Sequence, residues 1–351
     1  MVETFGSTAL EVLGGYLVAR CTIRTPGAFA GFCTAFAGAI LLSLLPALYE
    51  QATGREIVLD IVRALPGVGT FSPAPYGDRL GLSRVRVAFA HPILYGLIAC
   101  CALPLVFVAL RRTVPLLWRG LLSGLITLTV LLSLSSGPIL AAALQLVLIV
   151  WGRVFRWLRE PWLLFALMLL ALYVTVDLAS SRTPLRVFLS HATFSSETAY
   201  LRLHIFDWGL VNIRANPVFG LGLRDWTRPE WMSGSVDNFW LLTTMRYGLP
   251  GGALMAGGYL ALLWQVARHD LADDERLADQ RRAWVITMTA LAFALCTVHV
   301  WSTAFSFLAF MIGSGVWFLD RPPPDQAGTA RSTAIRYTRI PHRFQTMRTH
   351  P

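Results

Sequence analysis

The chain has 351 residues, of which 55% are hydrophobic and only 14% charged, and its formal net charge is +10. Soluble domains carry charge on roughly a quarter of their residues, so this composition excludes one and points to an all-α, polytopic membrane protein. Every cationic side chain other than histidine is arginine, because the sequence has no lysine.

Residues 5–19 are apolar but hold Glu11, and they fall short of the about 20 residues that cross a hydrocarbon core. They read as the tail of a helix in a chain lacking its N-terminal helices, or alternatively as an interfacial anchor; no basic region and small-residue cleavage site marks a signal peptide. Spans are then predicted at 26–49, 89–110, 120–134, 138–151, 162–178, 239–267, 284–300 and 303–319. These eight form one transmembrane domain over 1–320, with extracytoplasmic loops 50–88 and 179–238. Residues 321–351, with Pro322 to Pro324 and six arginines, read as a disordered basic cytoplasmic tail.

Orientation follows from the positive-inside bias. The short loops and the tail assigned to the cytoplasm hold 18 arginines, loops 50–88 and 179–238 hold 11, and Arg246 falls within a predicted span. Those 11 are nearly balanced by nine carboxylates. Singly they read as paired surface charges. As a group beside tryptophans they suggest an anion site, since a guanidinium fork matches phosphate oxygens.

Several other patterns carry little. Cys21, Cys33, Cys100, Cys101 and Cys296 show no metal or disulfide spacing. No His-Glu-x-x-His occurs, so no protein-bound metal and no cofactor is expected. Gly220-Leu221-Gly222 lacks the third glycine of a dinucleotide fingerprint. No long internal repeat supports an inverted-repeat transporter.

Within the long loop, Ser196 and Glu197 open a helix that Asn216-Pro217 stops. Tyr200, His204, Trp208 and Val211 share one face, with Arg202, Ile205, Phe206, Gly209 and Ile213 round another. The helix is expected to lie along the membrane surface or over a cavity. Asp237 stands where it can act as N-cap of the next helix or as a catalytic base. Arg246, about 13 Å further along that helix, is costly at such depth without a polar cavity or partner. Gly248-Leu249-Pro250-Gly251-Gly252 is expected to kink or break the helix.

Three segments carry a resemblance: Tyr200-Leu201-Arg202 through Trp208, then Asn216-Pro217-Val218-Phe219-Gly220-Leu221-Gly222, then Asp237-Asn238-Phe239-Trp240-Leu241 with Arg246-Tyr247-Gly248-Leu249-Pro250-Gly251. They resemble the superfamily of O-antigen ligases and O-antigen or exopolysaccharide polymerases. Tyr49-Glu50-Gln51-Ala52-Thr53-Gly54, Phe89-Ala90-His91-Pro92-Ile93 and Ser133-Leu134-Ser135-Ser136-Gly137-Pro138 resemble its earlier motifs in the same order. The resemblance implies a multi-pass GT-C-like glycosyltransferase of the bacterial inner membrane, its site facing the periplasm and its donor a polyprenyl diphosphate-linked oligosaccharide. It also implies membrane lipid and a chain-length regulator or flippase of the same pathway as partners, and no nucleic acid.

Two departures favour the polymerase branch: Asp237-Asn238 stands where ligases show His-Asn, and Ser136 where many members have arginine. The functional reading is extracytoplasmic polymerisation of lipid-linked repeat units without a metal. The alternatives are a ligase that joins glycan to lipid A-core or another acceptor, and a transporter of lipid-linked glycan. Arg202 is the first candidate for stabilising the departing diphosphate, supported by Arg84, Arg86, Arg214, Arg224 and Arg246. Asp237 is the candidate base and His91 its alternative.

Overall fold

The computed structural model describes residues 2–71, 78–79, 81–158, 161–180, 196–271 and 274–320. The expected tail 321–351 and the loop segment 181–195 lie outside them. Among the described residues the chain is helical, with no strand beyond an isolated bridge between Arg79 and Leu82. The elements are α1 (Val2–Thr22), α2 (Pro26–Thr53), α3 (Ile57–Arg63), α4 (Pro92–Pro104), α5 (Leu116–Leu132), α6 (Ser136–Val154), α7 (Pro161–Ala179), α8 (Ser196–Ala215), α9 (Phe239–Arg268), α10 (Glu275–Ala294) and α11 (Thr303–Val316).

Local chemistry sets the boundaries. Thr25 caps α2 by accepting from Ala28 N at 3.1 Å, with Pro26 in the first turn, where a missing N–H costs nothing. Gly54, at φ 68°, ends it in the left-handed conformation. His91 caps α4 through Nδ1, which accepts from Ile93 N at 3.0 Å. Pro104 lacks the N–H that would continue α4, and the chain passes through a π-helical turn, Leu105–Ala109.

Five segments are long and apolar enough to cross a membrane: Pro26–Thr53, Pro92–Ala109, Ser136–Val154, Trp162–Ala179 and Phe239–Arg268. Leu116–Leu132 and Thr303–Val316 are shorter and apolar. The eight expected spans map in order onto α2, α4, α5, α6, α7, α9, α10 and α11. α4 is the axial helix, and it and the start of the π-helical turn are buried at every residue from 94 to 106. Trp162–Ala179, by contrast, buries none of its residues in the protein, as suits a side facing lipid.

The segment 5–19 runs with the bundle. α1 lies parallel to α11, and a Cβ on Gly15 would sit 2.2 Å from Ser306 O, while one on Gly313 would sit 2.6 Å from Tyr16 O. In lipid, where apolar surface gives no hydrophobic drive between helices, such small residues let backbones approach and gain dispersion contact. Arg20 closes the pair with Asp320 at 2.9 Å. An anchor lying in the membrane plane is therefore not what this segment forms.

Two further expectations need correction. The span expected at 284–300 is a helix from Glu275 to Ala294, followed by a loop through 302. It extends backward because Arg112 pairs with both Glu275 and Asp279, neutralising charges that would otherwise resist helix continuation toward the bilayer.

The larger correction is α9, which is not one straight span. Trp240 and Tyr259 would lie about 28 Å apart along a straight helix, yet their ring centroids are 5.5 Å apart. Thr244 likewise meets Gly252. The helix reverses at Gly248, whose φ of 71° and ψ of −179° are non-helical, so a short arm to Tyr247 packs antiparallel against the longer arm that follows. That longer arm, 249–268, is about 30 Å long by itself, enough to cross. Arg246 therefore sits at the exposed tip of a helical hairpin rather than partway along one straight helix.

The Gly-rich turn explains why the tip is stable. Pro250 cannot donate to Arg246 O, and the reversal takes Leu249 N away from Met245 O. Leu221 N and Gly222 N supply the missing donors at 2.7 and 2.9 Å, and Leu249 N turns to Pro217 O at 2.7 Å. A second small core forms there, in which Ile205, Ile213, Trp226, Met232, Val236, Leu241 and Met245 pack α8, the turn and the short arm together. Gly209 lets α8 approach, since a Cβ there would meet Leu241 at 2.7 Å.

Candidate active site

The segments 54–71, 78–79, 81–91, 133–135, 196–238 and 295–302 meet at one end of the bundle. Arg79 Nη1 donates to Leu134 O at 3.0 Å, Arg84 Nη2 to Ser135 Oγ at 2.9 Å and Val85 N to Leu132 O at 3.3 Å. His91 and Trp301 make an edge contact with centroids 6.3 Å apart, and His299 stacks on Trp301 at 5.9 Å. Phe239 N donates to Leu295 O and Val298 O. Backbone strain concentrates here: Val87, Leu134 and Ser302 are the non-glycine residues with positive φ among the described residues. Each such conformation costs about 1–3 kcal/mol and persists only where surroundings over-determine it.

Glu50, in the last turn of α2, does that for Val87. Its two carboxylate oxygens accept from Arg86 N at 2.9 Å and Val87 N at 3.0 Å. Arg86, only 1% exposed, grips Glu56 through Nε and Nη2 at 2.5 and 2.7 Å, and Arg63 adds a third bond at 2.8 Å. Burial pushes the Glu56 carboxyl up, but the bonds from Arg86 and Arg63 outweigh it and hold the group below the usual carboxylate range. Arg86 is thus engaged in fixing the strand of chain that presents Arg84 and His91.

Arg202 has a different environment. It is 8% exposed on the buried face of α8, with Ile205, Gly209, Asn212 and Ile213. Among the described residues its Nε has no hydrogen-bond partner and it makes no direct ion pair. Burial lowers its affinity for its proton, with Asp237 nearby opposing and Arg79 reinforcing that effect. A buried guanidinium facing a second cation and an unpaired carboxylate is an electrostatically unfinished arrangement.

Asp237 is not the helix cap. Asn238 performs that role, its Oδ1 accepting from Leu241 N at 2.9 Å. Asp237 instead accepts from Ser235 Oγ at 3.0 Å and stays half-buried, so its carboxylate has capacity left for a substrate proton.

His91 is constrained the other way. Its Nδ1 is occupied by Ile93 N, so the neutral ring carries its proton on Nε2 and acts there as donor rather than base. Burial, then Arg84, Arg79 and Arg86, lower its pKa from 6.5 to about 4. Between those values the unfolded chain takes up a proton that the folded protein refuses, so stability falls as pH descends from 6.5 to about 4. The unfolding midpoint in detergent should drop over that window. The drop should shrink in His91→Asn, which keeps a capping oxygen; an undiminished drop would assign the dependence elsewhere.

The remaining candidates separate. Arg224 and Arg246 line a cavity of about 470 Å³ together with Asp225, Ser235, Val236, His299 and Trp301. Arg214 stands exposed in the last turn of α8, where it complements the helix dipole. Sequence reasoning missed Arg79, Glu50, Glu56, His299 and Trp301. The signal for His299 was a polar residue amid an apolar run, which the expected span 284–300 absorbed. Among the described residues, no three His, Cys, Asp or Glu side chains are grouped to hold a metal ion.

The segment that carries α8, the Gly-rich turn and the hairpin is also where known proteins agree. Residues 121–256 match the family model described as O-Antigen ligase. Over that stretch the chain is similar to the O-antigen ligase family. No curated protein and no solved structure matches it. With the apolar helices, that similarity supports a multi-pass membrane protein of glycosyltransferase-like type. Of the candidate site, Ser133 to Ser135, Arg202, Asp237 and Arg246 lie within the matched stretch, and Arg84, His91, His299 and Trp301 outside it.

Proposed function

We propose that this end of the bundle faces the periplasm and polymerises polyprenyl diphosphate-linked repeat units without a metal. The observation that carries the reading is Arg202, a buried guanidinium with an unpartnered Nε within electrostatic range of both Asp237 and Arg79. Asp237 takes the proton of the acceptor hydroxyl as its oxygen bonds to the anomeric carbon of the donor unit. The bond from that carbon to the diphosphate oxygen breaks, and its electron pair stays on the diphosphate. Arg202, Arg79 and Arg84 oppose the charge developing there, in a site sheltered enough for charges to act strongly. His91 Nε2 supplies a further donor.

The family description favours a second reading, ligation of a finished glycan to a lipid acceptor. Products distinguish the two. Purified protein in detergent, given a polyprenyl diphosphate oligosaccharide and no added metal, should form a ladder of lengthening products that chelator leaves unchanged. Transfer only upon addition of a lipid A-core acceptor would establish the ligase; no product under either condition would remove both readings.

A further inference from the structure

We infer that the cavity at the hairpin tip is a subsite for an acidic sugar residue of the acceptor glycan. This rests on the glycan-transfer reading above and adds a chemical class to it. The cavity's volume, about 470 Å³, lies within the roughly 300–1,000 Å³ range of small-ligand sites.

Its charge is one-sided. Among the described residues Arg224 is held only by neutral acceptors, Asn216 Oδ1 and Leu221 O, both at 3.3 Å. The Arg246 guanidinium meets no carboxylate among the described residues, because the hairpin reversal carries it to the exposed tip. The lining carboxylate, Asp225, is already bonded to Arg228 at 2.7 Å. His299 stays neutral, since burial and then Arg246 lower its pKa to about 4. Two unneutralised guanidiniums on one concave wall recognise a planar carboxylate, which each can grip through paired N–H groups.

The rest of the wall fits a sugar ring. Trp301 offers a partly exposed aromatic face, and buried His299 Nδ1 lacks a hydrogen-bond partner that a hydroxyl would supply. Ser235 lines the cavity and bonds Asp237, which puts its occupant beside the base and hence on the acceptor side. Arg79, Arg84 and Arg202 do not line this cavity, so the acidic-sugar subsite is separate from the proposed diphosphate arginines.

Trigalacturonate and its fully methyl-esterified form share one backbone and differ in charge and in the added ester methyl groups, and their binding to the full chain in detergent tests the subsite without any lipid donor. The acid should bind about ten-fold or more tightly than the ester. The gap should collapse in the Arg224→Gln, Arg246→Gln double variant, whose substituted side chains are exposed, and persist in Arg202→Ala. Equal binding of acid and ester, a gap that survives the double variant, or displacement of the acid by equimolar inorganic diphosphate would overturn the subsite. Because no polymerisation is measured, an absent product ladder and an absent acid preference remain separate failures.

Discussion

Arg202→Ala should lower product formation by about 10²–10³-fold, the loss seen when one preorganised donor to a developing oxyanion is removed, while leaving the protein as stable as before or more so. The second half distinguishes chemistry from structure. Among the described residues this buried cation has an unpartnered Nε and makes no direct ion pair, so its removal relieves a desolvation cost that offsets the weak attraction to Asp237. Arg86, paired to Glu56 and 1% exposed, should show the reverse, since its loss strands a carboxylate. Arg202→Lys should recover only part of the rate, because an ammonium restores charge without the planar fork. The companion Asp237→Asn should cost about 10²–10⁴-fold as a lost general base, with helix entry intact because Asn238 holds the cap. Both are checked by rate per folded protein alongside unfolding midpoints. A stable Arg202→Ala protein with an undiminished product ladder would sink the assignment of the leaving-group site.

Gly248→Ala should have a large structural effect for a single added methyl group. The new Cβ would lie 2.2 Å from Val218 O and 2.5 Å from Val218 C, both backbone atoms fixed by the Pro217 and Leu221 hydrogen bonds. Its φ of 71° with ψ of −179° belongs to a region nearly reserved for glycine, costing about 1–3 kcal/mol for other residues before any clash. The hairpin tip and the docked turn should separate, lowering the unfolding midpoint and abolishing activity. Gly220→Ala acts from the facing side, its Cβ 2.5 Å from Arg246 C, Arg246 O and Gly248 N. Gly257→Ala and Gly258→Ala are the controls. Nothing lies within 4 Å of either added carbon, so alanine there should be neutral or stabilise the helix by up to about 1 kcal/mol. Thermal unfolding and activity of the four variants check this directly; parity between Gly248→Ala and the controls would mean that the tip does not depend on its reversal.

Much of the architecture was legible because lipid imposes it. With no water to satisfy backbone groups, apolar runs must be helices, and Pro26, Pro92, Gly54 and the Asn216-Pro217 pair punctuate them within a few residues. The amphipathic helix of the long loop and the break near Gly248 were equally visible. What periodicity could not show was the direction taken after the break. A glycine-proline kink and a full reversal look the same in one dimension, and Arg246 therefore read as intramembrane when it stands at the tip.

The site divides along the same line. Composition and spacing by themselves determined that this is an all-helical membrane protein and that 11 of its 30 arginines fall in two polar loops beside nine carboxylates, while Arg202, Asp237 and His91 came forward as candidates through the family resemblance. Only tertiary packing decided which of these groups are already committed. Glu50 and Glu56 engage the chain around Arg86, Ile93 N fixes the proton of His91, Asn238 relieves Asp237 of capping, and Arg202 is left buried with its Nε unpartnered among the described residues. Those assignments depend on contacts between residues tens to hundreds apart in sequence, and burial, which sets the cost of an unmet charge, exists only once the chain has folded.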